Sequence, residues 1–153
     1  MKPADRVTTT AYTVVMATLS VRFKDSETHS RLQRRAAGTS LSALAERLID
    51  EGLRMDAHPG IVFRDGPTGR RAGLAAGLDV WQIINWVKDQ EGSPEERVAE
   101  AAQLLDLPVR WVQIAVRYYA EFTEEIDARI EANDRAAEEG LAAWEREQRL
   151  LSK

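Results

Sequence analysis

The sequence contains no cysteine and only two histidines among its 153 residues. A chain without cysteine has no disulfide framework and no thiolate metal site, which fits a reducing cytoplasm. No apolar run approaches the roughly 20 residues that a membrane-spanning helix needs. The sequence also lacks a glycine-rich phosphate loop and a carboxylate cluster with a partner base. We therefore expect a cytoplasmic protein that is not an enzyme and holds no cofactor or metal.

The net charge is small, at −4, but it is unevenly distributed along the chain. Residues 1–58 carry nine basic and seven acidic side chains, whereas residues 121–153 carry five basic and ten acidic ones. A weak overall charge argues against nucleic-acid binding through bulk charge, but not against binding through a few placed contacts. The mildly basic head and the acidic tail predict different partners for the two ends.

The clearest local pattern is the stretch ATLSVRFKD, residues 17–25, in which apolar and polar side chains alternate. The apolar positions are Leu19, Val21 and Phe23, and the polar positions are Thr18, Ser20 and Arg22. This alternation is typical of a half-buried strand, yet no second strand lies nearby. Two helices are predicted directly after it, the first capped by Asp25 or Ser26 and ended by Gly38, the second capped by Ser40.

A lone strand with two helices cannot pair its own backbone, and about 40 residues seldom fold alone. Two copies solve both problems if their strands pair antiparallel about a two-fold axis above the helices. We therefore predict a homodimer formed by a domain at residues 17–56, after an irregular extension at residues 1–16. Met16 directly precedes the strand, so both Met1 and Met16 fit as the natural start.

This unit resembles the ribbon–helix–helix family of Arc-like repressors through TLSVRF, the first helix D-S-E-x-x-x-x-L and the opening G-T-S-L-S-A-L-A-E-R-L-I. In that family the polar side of the ribbon enters the major groove of operator DNA. The resemblance implies that Thr18, Ser20 and Arg22 bind DNA, with Arg22 the best base reader. It also implies that Thr39 and Ser40 bind a phosphate at a helix N-terminus. Threonine, serine and arginine are also ordinary residues on an exposed strand, so the prediction depends on the whole unit.

Residues 57–123 predict a hairpin, in which the turn residues 65–69 separate two short apolar runs, followed by three helices. Ser93 and Glu96 are expected to form a capping box at the start of the second of these helices. This region resembles the domain-of-unknown-function-433 family through HPGIVFRDGPTGRRAGL, DVWQII and an ending A-x-x-Y-Y-A-E-x-x-x-E-I-D, although the hairpin departs from the usual G-x-P-x-I-x-G-T-R. Members of that family are generally interpreted as antitoxins encoded beside PIN-like ribonuclease toxins.

Two of the three helices form a helix–turn–helix-like pair, 94–105 and 108–122. Its second helix offers Arg110, Gln113 and Arg117 on one face, where they could enter DNA or remain solvated. Most of the aromatic residues of this region are expected to fill a small core.

Residues 124–153 predict an acidic helical tail with an amphipathic end, LAAWEREQRLLSK, and Thr123 is the expected cap of this helix. In type II antitoxins of similar layout, a C-terminal segment wraps the toxin, and an arginine can neutralise the acidic nuclease site. The resemblance implies a toxin-binding segment with Trp144 as buried anchor and Arg146 and Arg149 as the cations. An oligomerisation helix or a solvated helix fits the tail equally well.

The sequence thus predicts a mainly α-helical protein: a ribbon–helix–helix dimer, a hairpin with a helix–turn–helix-like bundle, and a helical tail. The function implied is that of an antitoxin that represses its own operon and neutralises a PIN-like nuclease. Its partners would be operator DNA, that toxin and a second copy, with higher oligomers left open. The alternative is a ribbon–helix–helix transcription regulator without a toxin partner.

Overall fold

The computed structural model describes residues 18–36 and 38–152, and these contain six α-helices and one two-stranded antiparallel sheet. The elements are α1 (Ser26–Arg35), α2 (Leu41–Ala57), β1 (Ile61–Arg64), β2 (Arg71–Leu74), α3 (Val80–Asp89), α4 (Pro94–Leu104), α5 (Val109–Glu121) and α6 (Thr123–Leu151). The predicted mainly helical class with a small hairpin is confirmed. The predicted extension, residues 1–16, lies outside the described residues. No helix in the described ranges is both long and apolar enough to span a membrane.

The chain separates into two compact units, residues 1–44 and 45–153. In the first unit, Asp25 caps α1 by accepting a hydrogen bond from the Thr28 N–H at 2.8 Å, which lowers the pKa of Asp25. Gly38 has a φ of 88°, so the turn after α1 uses the left-handed region that favours glycine. Ser40 Oγ accepts from the Ala43 N–H at 3.1 Å, which confirms Ser40 as the cap of α2.

The predicted hairpin is present in the second unit, where β1 and β2 pair with Arg64 opposite Arg71. A buried carboxylate fastens this hairpin to the start of α3. Asp79 is 6% exposed and accepts hydrogen bonds from Arg64, at 3.1 Å, and from Arg71. The Asp79 N–H in turn donates to Gln82 Oε1 at 3.1 Å, in the first turn of α3. Burying a charged carboxylate is costly unless the charge is paired, and the two guanidinium groups pair Asp79 on both sides.

The core of the second unit lies between the sheet, α3, α4, α5 and the first two turns of α6. Its buried side chains are Ile61, Ala72, Leu74, Val80, Ile83, Ile84, Ala101, Ala102, Val112, Ala115, Tyr118, Ile126 and Ile130. The aromatic residues that pack in or against this core are Phe63, Trp81, Trp111, Tyr118, Tyr119 and Phe122. Trp86 departs from the expectation of an aromatic core, since it is 44% exposed.

A side-chain cap sets the start of α4 but not that of α6. Ser93 and Glu96 form the predicted capping box, with the Ser93 N–H donating to Glu96 Oε2 at 2.8 Å and the Glu96 N–H donating to Ser93 Oγ at 3.3 Å. The prediction that Thr123 caps α6 is wrong. Thr123 is already helical, Phe122 holds the cap position, and the Thr123 hydroxyl donates backwards to Tyr119 O at 2.8 Å.

The C-terminal part of α2 belongs to the same compact unit as the bundle. Glu51 is 6% exposed and accepts two hydrogen bonds from Arg70, at 2.5 and 2.7 Å. One turn later, Arg54 donates to Glu125 at 2.6 Å and to Tyr118 Oη at 3.1 Å. These contacts fasten one side of α2 to the hairpin, α5 and α6. The division between the units falls within α2, between Leu44 and Ala45. The domain boundary after residue 56 stays a prediction.

Candidate DNA-binding and partner-binding surfaces

Residues 18–23 have no regular secondary structure in the single chain and pair with no other described segment. Their apolar side chains are uncovered, with Leu19 76%, Val21 59% and Phe23 38% exposed. The Phe23 ring lies 5.5 Å from the ring of His29 on α1, so this end of the segment has some cover. The alternating pattern predicts an apolar side that needs burial, and the described part of one chain does not supply it.

A second apolar surface is uncovered on α2. Leu48 is 36%, Ile49 46% and Leu53 65% exposed. At about 100° per residue, these three side chains cover an arc of about 140° on the helix. Glu51 and Arg54, which hold α2 to the bundle, lie on the opposite side of the same helix. The helix thus has one side bound by polar contacts and one side that is apolar and exposed.

The polar residues predicted to read DNA, Thr18, Ser20 and Arg22, are all exposed. Arg22 forms no ion pair with any described residue. Residues 18–44 carry five basic and two acidic side chains, a net charge of +3. A net positive charge attracts a polyanion such as DNA, and the exposed side chains of Thr18, Ser20 and Arg22 can donate hydrogen bonds to it.

The N-terminus of α2 refines the predicted phosphate site. The Thr39 N–H already donates to Ala36 O at 2.8 Å, so the turn after α1 uses this amide. The Ala43 N–H is bound by Ser40 Oγ, which leaves Leu41 and Ser42 as the first-turn amides without an acceptor among the described residues. A phosphate would therefore meet those two amides, and Thr39 would contribute only its exposed side chain.

The two helices that were predicted to form a helix–turn–helix-like pair are present as α4 and α5. α4 and α5 are joined by a turn in which Asp106 has a φ of 51°, the left-handed region that asparagine and aspartate tolerate better than other non-glycine residues. Arg110, Gln113 and Arg117 of α5 are all exposed, as expected from their spacing. Binding of DNA by this face stays a prediction.

The tail residues are exposed but do not share one face. From Glu131 to Leu151 every side chain is exposed except that of Ala142, and Trp144 is 56% exposed. Because α6 is continuous to Leu151, its period of about 100° per residue places Arg146 about 200° and Arg149 about 140° from Trp144. The helix therefore separates the proposed anchor from the proposed cations.

Several ion pairs that shape these surfaces were not predicted from the sequence. They join Glu51 to Arg70, Asp79 to the hairpin, and Arg54 to Glu125, a partner 71 positions away. Pairs so far apart leave no periodic or local signal in a single sequence. Among residues 18–36 and 38–152, no group of three or more histidine or carboxylate side chains could hold a metal.

Comparison of the chain with models of known protein families, with curated proteins and with solved structures found no match.

Proposed function

We propose that this chain is the cytoplasmic antitoxin of a type II toxin–antitoxin pair. It dimerises through the segment at residues 18–23 and through α2, binds operator DNA with the resulting ribbon, and neutralises a PIN-like nuclease through α6. The observation that supports this proposal best is the alternating segment at residues 18–23, whose apolar side is uncovered while its polar side carries potential DNA contacts.

Dimerisation is supported by the amount of apolar surface that one chain leaves exposed. Six large apolar side chains are involved in each copy: Leu19, Val21, Phe23, Leu48, Ile49 and Leu53. Each is about half exposed on average, so burying them in two copies would contribute roughly 9–18 kcal/mol, from about 1.5–3 kcal/mol per fully buried side chain. Association costs about 4–15 kcal/mol, so this burial is of the size needed to hold a dimer.

DNA binding follows from the symmetry of such a dimer. Two antiparallel copies of residues 18–23 place Thr18, Ser20 and Arg22 twice on the outer face of one ribbon, which is narrow enough for the major groove. The α2 amides of Leu41 and Ser42 can then bind a phosphate on each side. Antitoxin activity rests on the family resemblance of residues 57–123 and on the long exposed tail.

The DNA-binding proposal is tested with Arg22→Ala and a mobility-shift assay on the region upstream of the gene. We expect affinity to fall by roughly 1–3 kcal/mol, about 5- to 150-fold, while sedimentation still shows a dimer. Arg135→Ala is the matched control, because Arg135 is an exposed arginine of α6 paired only loosely with Glu131, at 3.8 Å. Unchanged specific binding by the Arg22 variant, or a monomeric wild-type protein, would refute the ribbon.

A further inference from the structure

The C-terminal half of α2, residues 45–57, lies on the second unit without contributing to its apolar core. In the described part of the chain, every side chain in or against that core comes from residues 61–130, and none comes from α2. From Ala45 to Ala57, α2 buries no apolar side chain. The bundle therefore completes its core without this half of the helix, which is called the latch below.

Polar side chains on one side of the latch make its contacts with the bundle. At about 100° per residue, Glu51, Arg54 and the adjoining His58 lie within about 60° of one another around the helix. Three polar pairs join this side to the hairpin, α5 and α6: Glu51 with Arg70 at 2.5 Å, Arg54 with Glu125 at 2.6 Å, and His58 with Glu121 at 2.8 Å. The latch is thus attached mainly by charge and hydrogen bonding.

Water reaches much of this attachment. Two of its three carboxylates, those of Glu121 and Glu125, are 60% and 43% exposed. Pairs that water reaches are weakened by salt, because the screening length falls from about 10 Å at 0.1 M to about 3 Å at 1 M. The core of the bundle depends mainly on burial of apolar surface, which such screening does not weaken. Salt should therefore weaken the latch before it weakens the bundle.

The other side of the latch adds no attachment within one chain. Leu48, Ile49 and Leu53 are exposed there, and no contact in the described ranges covers them. An isolated helix of 17 residues is also marginal in water, and Gly52 lowers the helical propensity of this one further. Once the polar pairs open, only the backbone hydrogen bonds of α2 itself maintain the latch.

We propose that the latch opens as a unit while the bundle stays folded, and that ionic strength sets how often it opens. This inference does not rest on the proposed function, because it uses only contacts within the second unit. Opening releases the helix that continues across the division between Leu44 and Ala45. It also uncovers the Tyr118 hydroxyl and the Phe122 ring, which the Arg54 guanidinium contacts at 3.1 and 4.2 Å.

The experiment measures the distance between the latch and α6 in full-length chain. The sequence has no cysteine, so Asp56→Cys with Glu124→Cys provides two exposed sites for nitroxide labels without background labelling. Labelled chain is diluted with unlabelled chain, so that only distances within one molecule are measured by electron paramagnetic resonance. Near-ultraviolet circular dichroism of the same samples reports whether the bundle is folded.

Wild-type chain should give one narrow distance at 0.1 M NaCl. Arg54→Met should raise the ratio of open to closed latch by about thirtyfold, the loss expected for hydrogen bonds to a charged group, and add a broad population of longer distances. In this variant, the ratio should rise about a further fivefold between 0.1 and 1 M NaCl, as the remaining pairs are screened. Glu51→Gln should also favour the open latch. Glu46→Gln is the matched control, because Glu46 is exposed on the same helix about 140° from Glu51 and should leave the distance unchanged.

Three outcomes would overturn the proposal. A narrow distance that persists in Arg54→Met combined with Glu51→Gln at 1 M NaCl would show that other contacts hold the latch. Loss of the near-ultraviolet signal together with the narrow distance would show that the latch and the bundle open as one. A broad distance in wild-type chain at 0.1 M NaCl would show that the latch is never closed. None of these measurements involves a toxin or operator DNA, so the proposed function is tested separately.

Discussion

Replacing Arg54 by methionine should destabilise the second unit, because Arg54 joins α2 to α5 and α6. The Arg54 side chain is 21% exposed, donates to Glu125 at 2.6 Å and Tyr118 Oη at 3.1 Å, and lies 4.2 Å over the Phe122 ring. Its Nε is also 2.9 Å from Asp50 Oδ2, an ion-pair distance without hydrogen-bond geometry. Burial alone would lower the pKa of Arg54, but hydrogen bonds from this cation to Glu125 and Tyr118 outweigh burial and raise it. The group is therefore charged at every pH of interest.

The size of the effect follows from these contacts. Hydrogen bonds to a charged group contribute about 1.5–3 kcal/mol, and a cation over an aromatic ring adds about 0.5–1 kcal/mol. The carboxylates of Glu125 and Asp50 are 43% and 56% exposed, so water can replace part of what they lose. We therefore expect Arg54→Met to lower the free energy of unfolding by about 2–4 kcal/mol, the buried Tyr118 hydroxyl accounting for much of it.

The measurement is urea denaturation, supported by a fall of about 5–15 °C in Tm. Arg54→Lys should lose about half as much, because an ammonium keeps the charge but not the planar fork of donors. The control is Arg110→Met, which removes an exposed arginine from α5 and should change stability by no more than about 0.5 kcal/mol. A loss below about 1 kcal/mol for Arg54→Met would show that α2 is not fastened to the bundle as described.

Two further predictions concern pH and capping. Burial raises the pKa of Tyr118 from 10.0 to about 12. The neutral Tyr118 therefore contributes to the free energy of unfolding below pH 10, and this contribution, at most about 2.7 kcal/mol, is lost as the pH rises towards 12. Tyr118→Phe should remove this loss when the free energy of unfolding is measured against pH. Ser93→Ala should cost about 1 kcal/mol of stability in urea denaturation. The hydrogen bond from the Ser93 N–H lowers the pKa of Glu96 below its usual 4.5, so the ionised Glu96 contributes to stability above that pH and the contribution is lost on acidification. Glu96→Gln should therefore make the free energy of unfolding less dependent on pH in acid. An unchanged dependence on pH would contradict the capping role.

The parts of the fold that depend on neighbouring residues were predicted well. Asp25, Ser40 and Ser93 each cap a helix through an amide three positions ahead, so the whole interaction is contained in four residues of sequence. The hairpin was predicted from turn residues between two short apolar runs. The cap of α6 was missed because Phe122 gives no capping signal and Thr123, one residue later, gives a misleading one.

The parts that depend on distant residues were not predicted. In the sequence, Glu51 has the pattern of an ordinary polar residue on an amphipathic helix. In the structure it is buried and paired with Arg70, 19 positions away. The separation of Trp144 from Arg146 is a different case, because it follows from the helical period alone. It was missed because these residues were taken from the family resemblance, and the period of the predicted helix, which runs to Leu151, was not applied to them.

The two-sided character of α2 links folding to the amount of protein present. Glu51 and Arg54 fasten one side of the helix to the bundle, and Leu48 and Leu53 are on the side left exposed. Whatever covers the exposed side also holds the helix in the conformation that Arg54 needs to reach Glu125. If a second copy provides that cover, the midpoint of thermal unfolding rises with chain concentration, and dilution alone weakens the attachment of α2 to α6. The bundle would then be most stable where the chain is abundant and would loosen as its concentration falls.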